Sequence, residues 1–180
     1  MKSIYIIAVT FSITFFSCKS INYQATGEQI KSLEYLVENK NFKIESDWAY
    51  PQTTTATQQV FNSGLLPTGS SSGAINLIGN SNFLTISGDS ITSYLPYFGE
   101  RQTNVGYGGN DSTIQLEGVV ENYHVAKGKK DSYTISCDAK SKSEHFKVII
   151  KLFPNLKSYV ILTGASRNSI SYSGEVKSKE

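Results

Sequence analysis

Between residues 131 and 176 the chain repeats one pattern: a run of alternating apolar residues, then a short polar turn. Tyr133, Ile135, Cys137 and Ala139 alternate with polar neighbours. Phe146, Val148, Ile150 and Leu152 alternate in the next run, with Lys147 and Lys151 on the opposite face. A period of two means extended backbone with one face buried. Residues 159–162 (Tyr-Val-Ile-Leu) are apolar on both faces, which predicts a central strand. The turns at 140–143, 155–156 and 166–168 are too short for a crossover helix, so the strands they join must be antiparallel.

The rest of the chain extends this pattern. Phe42, Ile44, Ser46 and Trp48 alternate with Lys43, Glu45 and Asp47, giving a half-buried strand that Pro51 ends. Further strands are expected at 55–61, 74–78, 82–87 and 90–95, with a hairpin turn at Gly88-Asp89. Between residues 114 and 125 the apolar phase shifts at Gly118, the signature of a bulge or sharp bend where a sheet curls. Residues 127–131 form a polar hairpin, and the last strand is expected at 169–176. One helix is expected near 27–39. Thr26 and Gln29 have capping-box spacing, and Ile30, Leu33, Leu36 and Val37 form an apolar stripe. The expected fold is mainly β: an antiparallel meander of about nine strands, curled into a barrel-like or open sandwich sheet, with one N-terminal helix.

The first residues have the pattern of a targeting segment. Lys2 supplies positive charge, and residues 4–16 are apolar but too short for an ordinary membrane span. They end at Phe15-Phe16-Ser17-Cys18, which resembles a bacterial lipobox in relaxed form. The expected organisation is a lipoprotein signal peptide at 1–17, a tether at 18–25 and one β-rich domain at 26–180, with Cys18 as the lipidation site. Two or three acyl chains hold a protein at a membrane where one does not. Cys137 is then the one cysteine left, and its strand phase places it inside as a small hydrophobe. The net charge of +2 carries no nucleic-acid footprint.

The densest punctuation is at Leu95-Pro96-Tyr97-Phe98-Gly99. Pro96 holds Leu95 extended, and Gly99 allows backbone angles closed to other residues. Leu95 and Phe98 are expected in the core, with Tyr97 at a pocket rim or partner surface. This stretch, preceded by 84–89, resembles the core of a family of small Bacteroidetes lipoproteins defined as domain of unknown function 4251. Residues 41–45 through Pro51 resemble its opening strand, 146–154 its late strand, and 167–174 (Arg-Asn-Ser-Ile-Ser-Tyr-Ser-Gly) its closing motif. The resemblance implies a β-rich fold and an outer-membrane address. Since no acidic run follows Cys18, the expected orientation is towards the periplasm. It implies no activity.

Constellations for chemistry are sparse. There are two histidines, His124 and His145, and neither sits in a spaced ligand set, so no metal or other cofactor is expected. No nucleophile elbow, phosphate loop or carboxylate pair is visible. The positive signal is aromatic. Trp48, Tyr94, Tyr97, Phe98, Tyr107 and Tyr123 are candidates to line a cavity or to pack the core. Tyr97, Tyr94, Tyr107 and Arg101 are the candidate contacts for a ligand or partner. Asp89-Ser90-Ile91 and Asp111-Ser112-Thr113 resemble an O-glycosylation sequon of Bacteroidetes, making Ser90 and Ser112 candidate acceptors. The leading expectation is a non-enzymatic envelope module for a small apolar ligand or a protein partner. The alternatives are a structural or assembly module with a filled core and, third, a hydrolase whose site leaves no motif.

Overall fold

The computed structural model describes residues 25–64, 66–71, 73–102, 112–142 and 144–179. The first helix, α1 (Gly27–Glu38), starts as expected. The Thr26 hydroxyl accepts the Gln29 amide at 3.2 Å, and the Gln29 side chain accepts the Thr26 amide at 3.0 Å. Its stripe buries Leu33, Leu36 and Val37. Strand β1 (Asn41–Pro51) follows directly.

Residues 55–61 were expected as a strand and form a helix instead, α2 (Thr55–Asn62). Local capping overrides the β-branched composition. The Thr54 amide donates to the Thr57 hydroxyl at 2.7 Å, and the Thr57 amide donates to the Thr54 hydroxyl at 3.2 Å. Phe61 then anchors the helix in the core.

Three short strands raise the count beyond nine. They are β2 (Ile75–Asn76), β5 (Thr113–Ile114) and β6 (Glu117–Val119). The longer ones are β3 (Phe83–Ser87), β4 (Ser90–Pro96), β7 (Glu121–Lys127) and β8 (Tyr133–Lys140). The set ends with β9 (His145–Leu152), β10 (Lys157–Gly164) and β11 (Ile170–Ser178). All pairings are antiparallel, in the order β5-β4-β3-β1-β11-β10-β9-β8-β7; β2 joins β1, and β6 joins β4. Strand β10 is central, as its two apolar faces predict.

The sheet curls without closing into a hydrogen-bonded barrel. The run from Glu117 to Lys127 links its two flanks: β6 pairs with β4, and β7 pairs with β8. The change of partner follows Gly118, whose φ of 139° few side chains tolerate. This is the bend that the apolar phase shift predicts.

Strand β1 contains a second irregularity. Its register against β11 slips between Ser46 and Trp48. Phe42, Ile44 and Ser46 point inward, but beyond the slip Ala49 and Pro51 do, which leaves Trp48 half-buried and out of phase. The expectation of Trp48 on the Phe42 face is therefore corrected by a β-bulge. Asn82 repairs the ladder there. The Ser46 amide donates to its side-chain oxygen at 2.9 Å, and its side-chain nitrogen donates to the Ser46 carbonyl at 2.9 Å.

The interior is one continuous cluster. Phe42, Ile44, Leu84, Ile86, Ile135, Val148, Ile150, Leu152 and Tyr172 are fully shielded from solvent. Each fully buried aliphatic side chain contributes about 1.5–3 kcal/mol. Cys137 lies among them as expected, and burial pushes its thiol up to about 11. The helices stand at opposite ends of β1, which defines an α1 end and an α2 end.

Candidate functional site

The charged and aromatic groups that burial brings together lie at the α2 end. Strands β4, β9, β10 and β11 all reach it with Pro96, His145, Gly164 and Ile170. Residues 97–102 leave β4 and lie along 166–168. Asn168 donates its amide to the Glu100 carbonyl at 3.0 Å, Gln102 donates to the Ser166 carbonyl at 2.9 Å, and Arg101 bridges Arg167.

Arg167 is the centre. Its Nε donates to the Glu144 carboxylate at 2.8 Å, with the two side chains 4% and 1% exposed. Its guanidinium lies 4.8 Å from the Tyr97 ring centroid and 5.4 Å from that of Phe146. Both rings present their faces to the cation. Burial alone would raise the Glu144 pKa. The Ser166 amide, which donates to Glu144 at 2.7 Å, and the Arg167 guanidinium outweigh it and hold the carboxyl below its ordinary value. Gly164 is required beside this pair, since a Cβ there would strike the Glu144 carboxylate.

Tyr97 ties the cluster to the backbone. Its hydroxyl points at the Glu100 carbonyl at 2.8 Å and the Asn168 carbonyl at 3.0 Å. Burial, opposed in part by Arg167, raises its pKa. Tyr172 donates to the Pro96 carbonyl at 2.8 Å from inside the core. The Glu100 carboxylate accepts from the Thr54 hydroxyl at the start of α2.

Two expectations about the motif are reversed. Tyr97 is 8% exposed and belongs to the core, whereas Phe98 is half-buried and packs against the cluster from outside. Two backbone carbonyls satisfy the Tyr97 hydroxyl, so the ring can enter the interior without an orphaned polar group. Gly99 has no left-handed backbone. It is needed for space, because a Cβ would lie 2.5 Å from the Tyr97 hydroxyl.

The other candidates disperse. Arg101 joins Tyr97 at the α2 end. Tyr94 projects from the outer face of β4, 42% exposed and opposite Phe83 of β3. Tyr107 and Cys18 lie outside the described residues. Ser90 is exposed at the start of β4, and Ser112 is exposed just before β5. Tyr123 turns inward beneath the Lys40 ammonium, 4.7 Å away, and burial pushes its hydroxyl up to about 12. No group of three His, Cys, Asp or Glu placed to hold a metal occurs among the described residues.

Glu144 and Arg167 are what sequence reasoning missed. Each sits in a short polar turn, and 23 residues separate them. Only the β9–β10 pairing, which sets Gly164 opposite Phe146, makes them neighbours.

The class defined by fold and site is a curled antiparallel sheet with one continuous hydrophobic core and a buried arginine latch. The chain matches the family model described as "Domain of unknown function (DUF4251)" over residues 24–176, and it belongs to that family. The crystal structure of a DUF4251 family protein from Bacteroides eggerthii is similar in fold. It has a TM-score of 0.57 at 12% identity, covering 84% of this chain and 88% of that one. No curated protein matches the chain.

Proposed function

We propose that the mature protein is a cell-envelope lipoprotein, held at the outer membrane by Cys18 and facing the periplasm, whose domain is a non-enzymatic module that binds a protein partner on its surface. The observation that carries the binding reading is the continuous hydrophobic core. Leu, Ile, Val and Phe side chains from α1 and the long inner strands pack into one cluster inside the curl, which supports surface binding over carriage of a small apolar ligand. Tyr94, exposed beside Phe83 and just ahead of the Leu95–Gly99 motif, is the ring left for a partner. At the α2 end the Glu144 carboxylate, the Arg167 Nε and the Tyr97 hydroxyl are engaged within the fold. Ser90 and Ser112 remain the candidate glycan acceptors at exposed positions.

Two measurements test this. Native mass spectrometry of protein purified from its own envelope should show the mass of the chain and its modifications, with no apolar passenger. A photo-crosslinking amino acid at position 94 should give one discrete adduct in cells, and the same group at position 151 should give none. A co-purified small molecule would move the reading to ligand carriage. Absence of an adduct at position 94 would favour a structural module, which the continuous core also suits.

A further inference from the structure

The strand pairings decide which loops share the α1 end. Lys127 pairs with Tyr133, Tyr133 with Leu152, Lys157 with Glu175, Phe42 with Ser178, and Asn41 with Ser87. The β7–β8 hairpin, the β9–β10 turn, the end of β11 and the β3–β4 hairpin therefore lie side by side around α1. Glu34 of α1 reaches Lys127 at 3.6 Å and the Tyr133 hydroxyl at 3.4 Å, which fixes the helix on the same end.

This end is rich in exposed lysine. Lys129 and Lys130 form the tip of the β7–β8 hairpin, and Lys157, Lys177 and Lys179 stand on the neighbouring strand ends. Most of the acids here are occupied. Glu34 and Asp131 face Lys127, Glu175 takes Lys157, Glu45 takes Lys43 and Lys177, and Asp89 takes Lys40. Glu28 and Glu38 remain on the exposed side of α1, with Lys31 between them. Lys129 and Lys130 have no ion partner among the described residues. Two large rings also face solvent at this end: Phe153 in the β9–β10 turn, 40% exposed, and Tyr35 on α1, 65% exposed.

The tether determines what this surface meets. Gly27, the first residue of α1, follows Cys18 by nine residues, a reach of at most about 30 Å even when fully extended. A domain anchored at Cys18 therefore keeps Gly27, and with it α1, within about 30 Å of the bilayer, which makes the α1 end the one nearer to hand. We propose that the α1 end docks on the anionic phospholipid surface of the membrane that holds it, with Lys129 and Lys130 as the principal charges and Phe153 and Tyr35 as interfacial rings. The inference rests on the Cys18 anchor. Lysines near an anionic leaflet add to binding individually, and exposed rings settle at headgroup level. Docking would give the anchored domain one fixed orientation, which presents Tyr94 and the α2 end to the periplasm.

The test uses residues 18–180 with Cys18→Ala, which contain every described element and carry no acyl chain. Co-sedimentation is measured with vesicles of phosphatidylcholine and with an equal mixture of phosphatidylcholine and phosphatidylglycerol. The expected result is binding to the anionic vesicles alone, falling as salt rises. The double reversal Lys129→Glu/Lys130→Glu should weaken it by roughly 25-fold or more. Lys140→Glu/Lys142→Glu, an equal charge change at the α2 end, should leave it intact. Thermal melts confirm that both variants fold. No binding to anionic vesicles, equal binding to neutral ones, or equal loss from the two double reversals would overturn the proposal. Failure here leaves the anchor standing, because the assay contains no lipidated protein. The anchor fails separately if Cys18→Ala stays in the membrane pellet of fractionated cells.

Discussion

Glu144→Gln is the sharpest probe of what holds the α2 end together. The substitution keeps shape and an acceptor for the Ser166 amide, but removes the charge opposite Arg167. That guanidinium is 4% exposed and wedged between Tyr97 and Phe146, so it cannot turn to water. Leaving one member of a buried pair uncompensated costs about 3–5 kcal/mol. In a domain of this size that is roughly a 6–20 °C fall in Tm. Urea unfolding followed by the single tryptophan, Trp48, reads the loss directly. Arg167→Met should cost a similar amount, because it strands the Glu144 carboxylate. The double variant Glu144→Leu/Arg167→Met should be more stable than Glu144→Leu or Arg167→Met alone, since a well-packed apolar pair replaces an ion pair at little net cost. A loss under about 1 kcal/mol from Glu144→Gln, or simple additivity in the cycle, would refute the latch.

Glu45 is held down to about 2, first by the Lys177 hydrogen bond and then by that of Lys43. A carboxyl with a lowered folded pKa stabilises above its unfolded value near 4.3 and loses that contribution as pH falls towards its folded value. Unfolding free energy should therefore be flat from neutrality to about pH 5 and then decline, less steeply in Lys177→Met; a rise on acidification would contradict this. Cys137 should react slowly with a thiol reagent in the folded protein and fast in denaturant, and rapid native labelling would show that its strand phase is wrong. Tyr97→Ala should destabilise by about 3–5 kcal/mol, as for other buried aromatics, and Phe98→Ala by distinctly less, with thermal melts deciding the order. Gly174→Ala should lower Tm strongly, because the new Cβ would strike the Glu45 carbonyl.

The parts of the fold legible in the sequence are those governed by periodicity. The α1 cap, the inner faces of β8 and β9, the central place of β10 and the bend at Gly118 all follow from spacing over a few residues. The failures have a common cause. Whether 55–61 is helix or strand depends on one reciprocal threonine cap, and the phase of Trp48 depends on a bulge that Asn82, far off in sequence, stabilises. The exchange between Tyr97 and Phe98 is of the same kind. The carbonyls that let a tyrosine be buried belong to Glu100 and Asn168, and the second is close only after β11 has docked. The Arg167–Glu144 pair left no local trace, because two polar turns look alike until the sheet aligns them.

The bend in the middle of the sheet connects these distant features. Ser46, Gly174 and Ser158 lie in one row across β1, β11 and β10. All three are small and buried, and they sit where β1 slips its register. Bulky side chains in that row would force the strands apart on the inner face and flatten the curl. The curl brings the β4 flank round to the β9–β10 flank, so that Pro96 comes within reach of Tyr172 and Tyr97 within reach of Arg167. The latch is therefore a consequence of the small row as much as of its own charges. A sheet curled in this way uses its aromatic and ionic groups for shape. The recognition proposed for this domain would then fall to the outer faces and the two ends, one of which the proposed anchor would commit to the membrane.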